Sequence, residues 1–152
     1  GEKAVLQEAQ SAAIIRTSWL YSAHGNNFLK TMRRVGAERE NLGVIFDQIG
    51  TPTYAGDLAD AIVSILPQMK NVKKEIYHFS NEGIASWYDF AVAIMARSNI
   101  KCKIEPIETR QYVTRATRPP YSVLNKSKIK DEFGISIPHW MDGLKRCISH
   151  IA

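Results

Sequence analysis

The run Ala12-Ala13-Ile14-Ile15 is apolar, too short for a helix and β-branched at its end, so it reads as a buried strand. The residues just after this run restrict the fold most. Polarity changes at once: Arg16, Thr17, Ser18, Trp19 and Tyr21 place hydrogen-bonding groups and two aromatics where the strand runs out. Gly25-Asn26-Asn27 then leads into the helical run Phe28 to Arg34. A strand's carboxyl end feeding a loop and a helix N-terminus is where open α/β sheets hold ligands, and the free N–H groups of the new helix favour an anion there. Asn26 or Asn27 either caps that helix or turns an amide toward a bound phosphate. Trp19 taken alone reads as core packing; only the whole pattern gives it a binding role.

The rest of the chain repeats this alternation. Gly1 to Gln10 has the look of a helix already under way, with no cap before Glu2. A second strand, Leu42 to Phe46, ends in the turn-forming loop Asp47 to Thr53. Pro52 and Thr53 open a helix, Tyr54 to Gln68, with Leu58, Ala61, Ile62, Ile65 and Leu66 on one face. A turn over Lys70 to Lys74 leads to a third strand, Glu75 to Phe79. Ser86 caps a helix, Trp87 to Ser98, that sets Phe90, Ala91, Ile94 and Met95 at core spacing. Lys103 to Ile107 is a short strand that Pro106 confines to an edge or a strand end. Glu108 to Ser122, with Arg110, Arg115, Arg118, Pro119 and Pro120, has no periodicity and reads as a binding loop or a disordered segment. Two last helices begin at Asn125 or Ser127 and at His139. Alternating strands and helices give the class α/β. No G-x-G-x-x-G occurs, so the chain has no phosphate-cradling glycine loop of its own.

Composition narrows the function classes. The formal charge of +5 is modest for 152 residues, and the Lys and Arg are dispersed. A nucleic-acid face needs clustering with interleaved aromatics, which is lacking, whereas a small anionic ligand such as a nucleotide diphosphate suits the excess. No apolar stretch approaches a membrane span, because Ala61 to Leu66 ends at Pro67. No signal peptide is recognisable. The two cysteines, Cys102 and Cys147, read as buried thiols, and cytoplasm is the expected compartment. They form no metal-ligand spacing with His24, His78, His139 or His150.

Several stretches together resemble one family. Arg16-Thr17-Ser18-Trp19-Leu20-Tyr21, Gly25-Asn26-Asn27-Phe28, Asp47-Gln48-x-Gly50-x-Pro52-Thr53, Asp57-Leu58-Ala59, Tyr77-His78, Trp87-Tyr88-Asp89 and Arg118-Pro119 fall in the order of dTDP-4-dehydrorhamnose reductase, an extended short-chain dehydrogenase/reductase. The resemblance spans nearly all of this chain but only the C-terminal half of the family. It implies a Rossmann-like fold of which residues 1–152 are one fragment: late sheet strands plus the substrate-binding subdomain, with the dinucleotide-binding half and the catalytic Tyr-x-x-x-Lys upstream. The implied reaction is reduction of dTDP-4-dehydro-β-L-rhamnose to dTDP-L-rhamnose by NADPH or NADH, in cell-surface polysaccharide biosynthesis. The fragment alone is then expected to be inactive and, with strand edges exposed, to self-associate or form a homo-oligomer. Carried over by position, the substrate-binding residues are Trp19, Asn26, Asn27, Gln48 and Arg118, with a dTDP-sugar as partner and neither nucleic acid nor membrane. Some family members dimerise through magnesium held by glutamates. Gly56 and His150 stand there instead, so that dimer is not expected. A non-catalytic relative, the regulatory subunit of methionine adenosyltransferase, offers the alternative reading of a partner-binding protein.

Overall fold

Two parallel strand ladders carry the architecture, each reached through a helix. The computed structural model describes residues 1–71, 73–112 and 117–151. Helix α1 (Glu2–Glu8) leads to β1 (Ala12–Arg16), and β1 pairs in parallel with β6 (Lys74–His78), Ile14 opposite Ile76. Helix α2 (Phe28–Glu38) leads to β3 (Asn41–Ile45), and β3 pairs in parallel with β8 (Lys103–Ile107). Pro106 sits opposite Val44 in that two-stranded ladder, where the N–H it lacks is not demanded by a third strand.

Four very short strands join the ladders. β2 (Leu20–Tyr21) pairs in parallel with β5 (Thr53–Tyr54), and β4 (Ile49–Gly50) pairs antiparallel with β7 (Ala85–Ser86). At two residues each they have no period to detect, and the sequence reads them as loop. Helix α3 (Ala55–Ile65) therefore starts one residue after the expected Tyr54 and ends before Gln68, passing into a 3₁₀ turn over Leu66–Asn71 that takes in Pro67. The apolar face expected there is only partly used: Ile65 is buried, whereas Ile62 and Leu66 are exposed. Helices α4 (Trp87–Arg97), α5 (Ser127–Phe133) and α6 (Trp140–Ser149) complete the order. Asn125 accepts the Ser127 N–H ahead of α5, and the His139 imidazole accepts the Met141 N–H ahead of α6. Arg115 lies outside the described residues.

The larger core gathers Tyr21, Leu29, Val44, Phe90, Ile94, Leu144 and Cys147 between α2, α4, α6 and β3. Phe90, Ala91, Ile94 and Met95 are all buried, as their spacing predicts. Both cysteines are buried as free thiols, and burial raises the Cys147 thiol to about 11. A smaller cluster, with Ile65, Tyr77, Phe79, Ile129 and Phe133, lies under β6 and α5. Strand β1 departs from its reading: Ala12 to Ile15, which alternate between the two faces of the ladder, are half-buried rather than buried. Among the described residues no helix is long and apolar enough to cross a membrane.

Candidate functional site

Two helix N-termini and the carboxyl end of β3 converge on one cleft of about 240 Å³. Its walls include Phe28, Gly43, Val44, Gln48, Trp87 and Arg118. Phe28 and Trp87 are the first residues of α2 and α4, and Gln48 lies shortly past the end of β3. Such a convergence places free backbone N–H groups and apolar rings around one space.

Each wall residue is held by local chemistry. Ser86 and Asp89 form a capping box: the Ser86 hydroxyl accepts the Asp89 N–H at 3.0 Å, and the Asp89 carboxylate accepts the Ser86 N–H at 2.9 Å. That fixes where Trp87 emerges. Its ring packs tilted against Phe28, centroids 4.7 Å apart, and the Arg118 guanidinium lies 5.8 Å from the Trp87 ring centre. Arg118 is exposed and makes no ion pair among the described residues, so its charge is available to an anion. Gln48 is 5% exposed and donates from Nε2 to the Thr109 hydroxyl at 3.1 Å. Asp47 accepts both the Thr109 hydroxyl (2.7 Å) and its N–H (2.9 Å), which hold its carboxyl below the usual carboxylate range. Together these bonds moor the start of the irregular stretch beside the cleft.

Trp19 is half-buried behind this wall. Its indole stacks flat on Trp87, centroids 3.6 Å apart and planes 7° from parallel, and it does not itself line the cleft. Asn27 caps α2: Oδ1 accepts the Lys30 N–H at 3.1 Å, and Nδ2 donates to the carbonyls of Ser22 (2.9 Å) and His24 (3.2 Å). Asn26 is exposed in the preceding turn. Of the five residues predicted from sequence, Gln48 and Arg118 thus share the cleft and Trp19 backs onto it, whereas Asn26 and Asn27 do not line it and the Asn27 side chain is used in capping α2. Phe28 and Trp87 were missed as wall residues. A Trp at the first position of a capped helix, directly after Ser86, is the signal that could have found the second.

A buried polar knot supports this arrangement from the other side. Asp57, 5% exposed, pairs with Arg146 and accepts from Asn81 Nδ2 at 2.5 Å. Asn81 in turn accepts the Tyr54 N–H at 2.8 Å and donates to the Pro138 carbonyl at 3.1 Å. The knot joins α3 to α6 across β5. Gly56 contributes no donor and lies under the Tyr54 ring, and His150 is bonded to the Arg146 carbonyl at 2.7 Å. Neither is a hard oxygen ligand, so these positions do not fit a magnesium ion.

The match to known proteins is extensive. The family model described as RmlD substrate binding domain matches residues 1–152. A dTDP-4-dehydrorhamnose reductase of Aggregatibacter actinomycetemcomitans is 42% identical over 154 residues, covering 95% of this chain and 52% of that protein. The spore coat polysaccharide biosynthesis protein SpsK of Bacillus subtilis is 41% identical over 145 residues, covering 95% and 50%. The crystal structure of dTDP-4-dehydrorhamnose reductase from Bacillus anthracis in complex with NADP matches with a TM-score of 0.83 at 38% identity, covering 92% of this chain and 48% of that one. The chain spans about half the length of these relatives.

Proposed function

The chain belongs to the RmlD substrate-binding-domain family, and from that premise we propose that it forms the substrate-binding part of a dTDP-4-dehydrorhamnose reductase. That enzyme reduces dTDP-4-dehydro-β-L-rhamnose to dTDP-L-rhamnose with NAD(P)H, a cytoplasmic step in the supply of rhamnose for cell-surface polysaccharide. The observation that carries the reading is the cleft in which Trp87, Phe28, Gln48 and an exposed Arg118 meet.

At about 240 Å³ the cleft is smaller than the roughly 300–1,000 Å³ of pockets that enclose a whole ligand. It takes one part of the sugar nucleotide, the planar base, against Phe28 and the edge of Trp87. Gln48 offers an amide to the base, and Arg118 meets the diphosphate with charge-assisted hydrogen bonds. The sugar then extends past the end of β1, where Trp19 supplies the uncovered edge of its indole and one N–H donor. Asn26, exposed in the turn just before α2, meets the same anion.

This chain's residues do not fit the nicotinamide dinucleotide. Its positive-φ glycines, Gly25, Gly83 and Gly134, stand in three separate turns, and the sequence holds neither G-x-G-x-x-G nor Tyr-x-x-x-Lys. NAD(P)H and the proton donor therefore belong to polypeptide outside these 152 residues, and the chain alone binds without turning over. Residues 1–152 act in this reading as one unit, with β1 and β6 part of a wider sheet.

Calorimetric titration with dTDP and dTDP-rhamnose tests the proposal. Both ligands bind, and Arg118→Ala weakens both by about tenfold or more, since a hydrogen bond to a charged group contributes ~1.5–3 kcal/mol. Equal affinity of Arg118→Ala and the parent chain, or no heat with either ligand, contradicts it.

A further inference from the structure

We infer that Trp87, besides walling the cleft, is a positioning residue for Trp19, so that the base end and the sugar end of a bound sugar nucleotide are linked through one stacked pair; the inference rests on the reading above.

Trp19 has a φ of +46°, and among the described residues only Asn99 shares a positive φ without being glycine. A bulky side chain adopts this region only where its surroundings impose it. Here the backbone is held by the Thr53 N–H, which donates to the Trp19 carbonyl at 3.1 Å, and by the Ser18 hydroxyl, which donates to the Thr51 carbonyl at 3.1 Å. The indole lies across β4 at Gly50, where a Cβ would stand 2.5 Å from the Trp19 Cε2. That glycine leaves the room the ring occupies.

These contacts fix the Trp19 main chain and one side of its ring. Its orientation is completed by the flat stack on Trp87. Trp87 is anchored independently, by the Ser86–Asp89 capping box and by Phe28. It lines the cleft beside Arg118, and Trp19 does not. Trp87 therefore stands between the two. A base entering the cleft packs on Trp87, and Trp87 can move only by disturbing the ring stacked on it. Trp19 presents its indole to the sugar only while Trp87 backs it.

The test uses 5-fluorotryptophan at the chain's three tryptophans, with Trp140→Phe assigning the third resonance. Adding dTDP shifts the Trp87 resonance and, through the stack, that of Trp19. The second readout is how much tighter dTDP-rhamnose binds than dTDP. In Trp87→Leu this ratio falls to about one, as in Trp19→Leu, and the double variant loses no more, because the two side chains act as one unit. Gly50→Ala, whose Cβ would meet Trp19 Cε2 at 2.5 Å and Ser122 Oγ at 2.7 Å, displaces Trp19 and lowers the ratio in the same way; if Trp87→Leu does not fold, the fluorine readout carries the test, and dTDP that shifts the Trp87 resonance but not that of Trp19 overturns the inference. A parental ratio in folded Trp87→Leu, additive losses in the double variant, or a parental ratio in Gly50→Ala overturns the inference while leaving the sugar-nucleotide reading intact. Failure of dTDP and dTDP-rhamnose to bind at all overturns both.

Discussion

The two parallel ladders use the same pairing and end up in different states. The β3–β8 ladder is covered by α4, on which α2 packs in turn; Val44 and Ile45 are buried, and the helices' N-termini border a cleft at the strand's end. The β1–β6 ladder meets α1 and α5, and Ala12 to Ile15 stay half-exposed. Parallel strands are normally covered on both faces. The first ladder buries Val44, Ile45 and Ile104 while leaving Asn41, Gly43, Lys103, Glu105 and Pro106 exposed, whereas no residue of β1 is fully buried, as the proposal of a wider sheet requires. Pairing alone does not decide how much stability a strand contributes; its cover does.

The largest expected difference between the lobes comes from truncating one apolar side chain in each. Phe90 is fully buried, with ring centroids 5.1 Å from Tyr21, 5.6 Å from Phe28 and 5.9 Å from Trp140. Phe90→Ala costs ~3–5 kcal/mol of unfolding free energy. Ile14→Ala, on the half-buried strand, costs about 1 kcal/mol, because little surface is returned to water. Urea denaturation measures both, and equal losses erase the distinction between the lobes.

The polar knot comes next. Asn81→Ala leaves the Tyr54 N–H and the Pro138 carbonyl without their partner and removes one from the buried Asp57. The expected loss is ~2–3 kcal/mol. A loss below about 0.5 kcal/mol, the scale of an ordinary surface change, shows that the knot does not tie the lobes. A smaller effect sits at the cleft itself. Ser86→Ala removes the α4 cap at a cost of about 1 kcal/mol, and it weakens dTDP binding because Trp87 is no longer fixed.

Much of this was readable in the sequence. The Phe90, Ala91, Ile94 and Met95 face was plain because eleven helical residues give a period time to show. Strands β2, β4, β5 and β7 were not, since two residues contain no period. Gln48 and Arg118 were placed in the site by resemblance, and the fold brings them to one cleft from positions seventy residues apart. Trp19 lies just past β1, but no sequence pattern reports that a second indole, sixty-eight positions later, stacks on it. The exposure of β1 was unreadable for a related reason: apolar residues reveal that a face needs cover, not whether these 152 residues provide it.

The smallest effect is a pH dependence at the edge of the β1–β6 lobe. Burial pushes the Glu82 carboxyl up, but hydrogen bonds from Lys130 (2.8 Å) and Lys126 (3.1 Å) outweigh it and leave the group below its usual value. Stabilisation from a depressed carboxylate is fully present above its unfolded pKa and disappears as pH falls through the folded one. Thermal melts of Glu82→Gln are therefore flatter than those of the parent chain below about pH 5, with the difference largest at neutral pH. Parallel curves for the two proteins contradict this.

The central claim is that a sugar nucleotide binds at the cleft beside β3. Backbone amide chemical shifts, recorded as dTDP-rhamnose is added to the chain, locate it residue by residue. The largest changes are expected on Phe28, Gly43, Val44, Gln48 and Trp87, with Trp19 and Asn26 next and β6 silent. Changes centred on the β1–β6 ladder, with the cleft unmoved at saturation, contradict it.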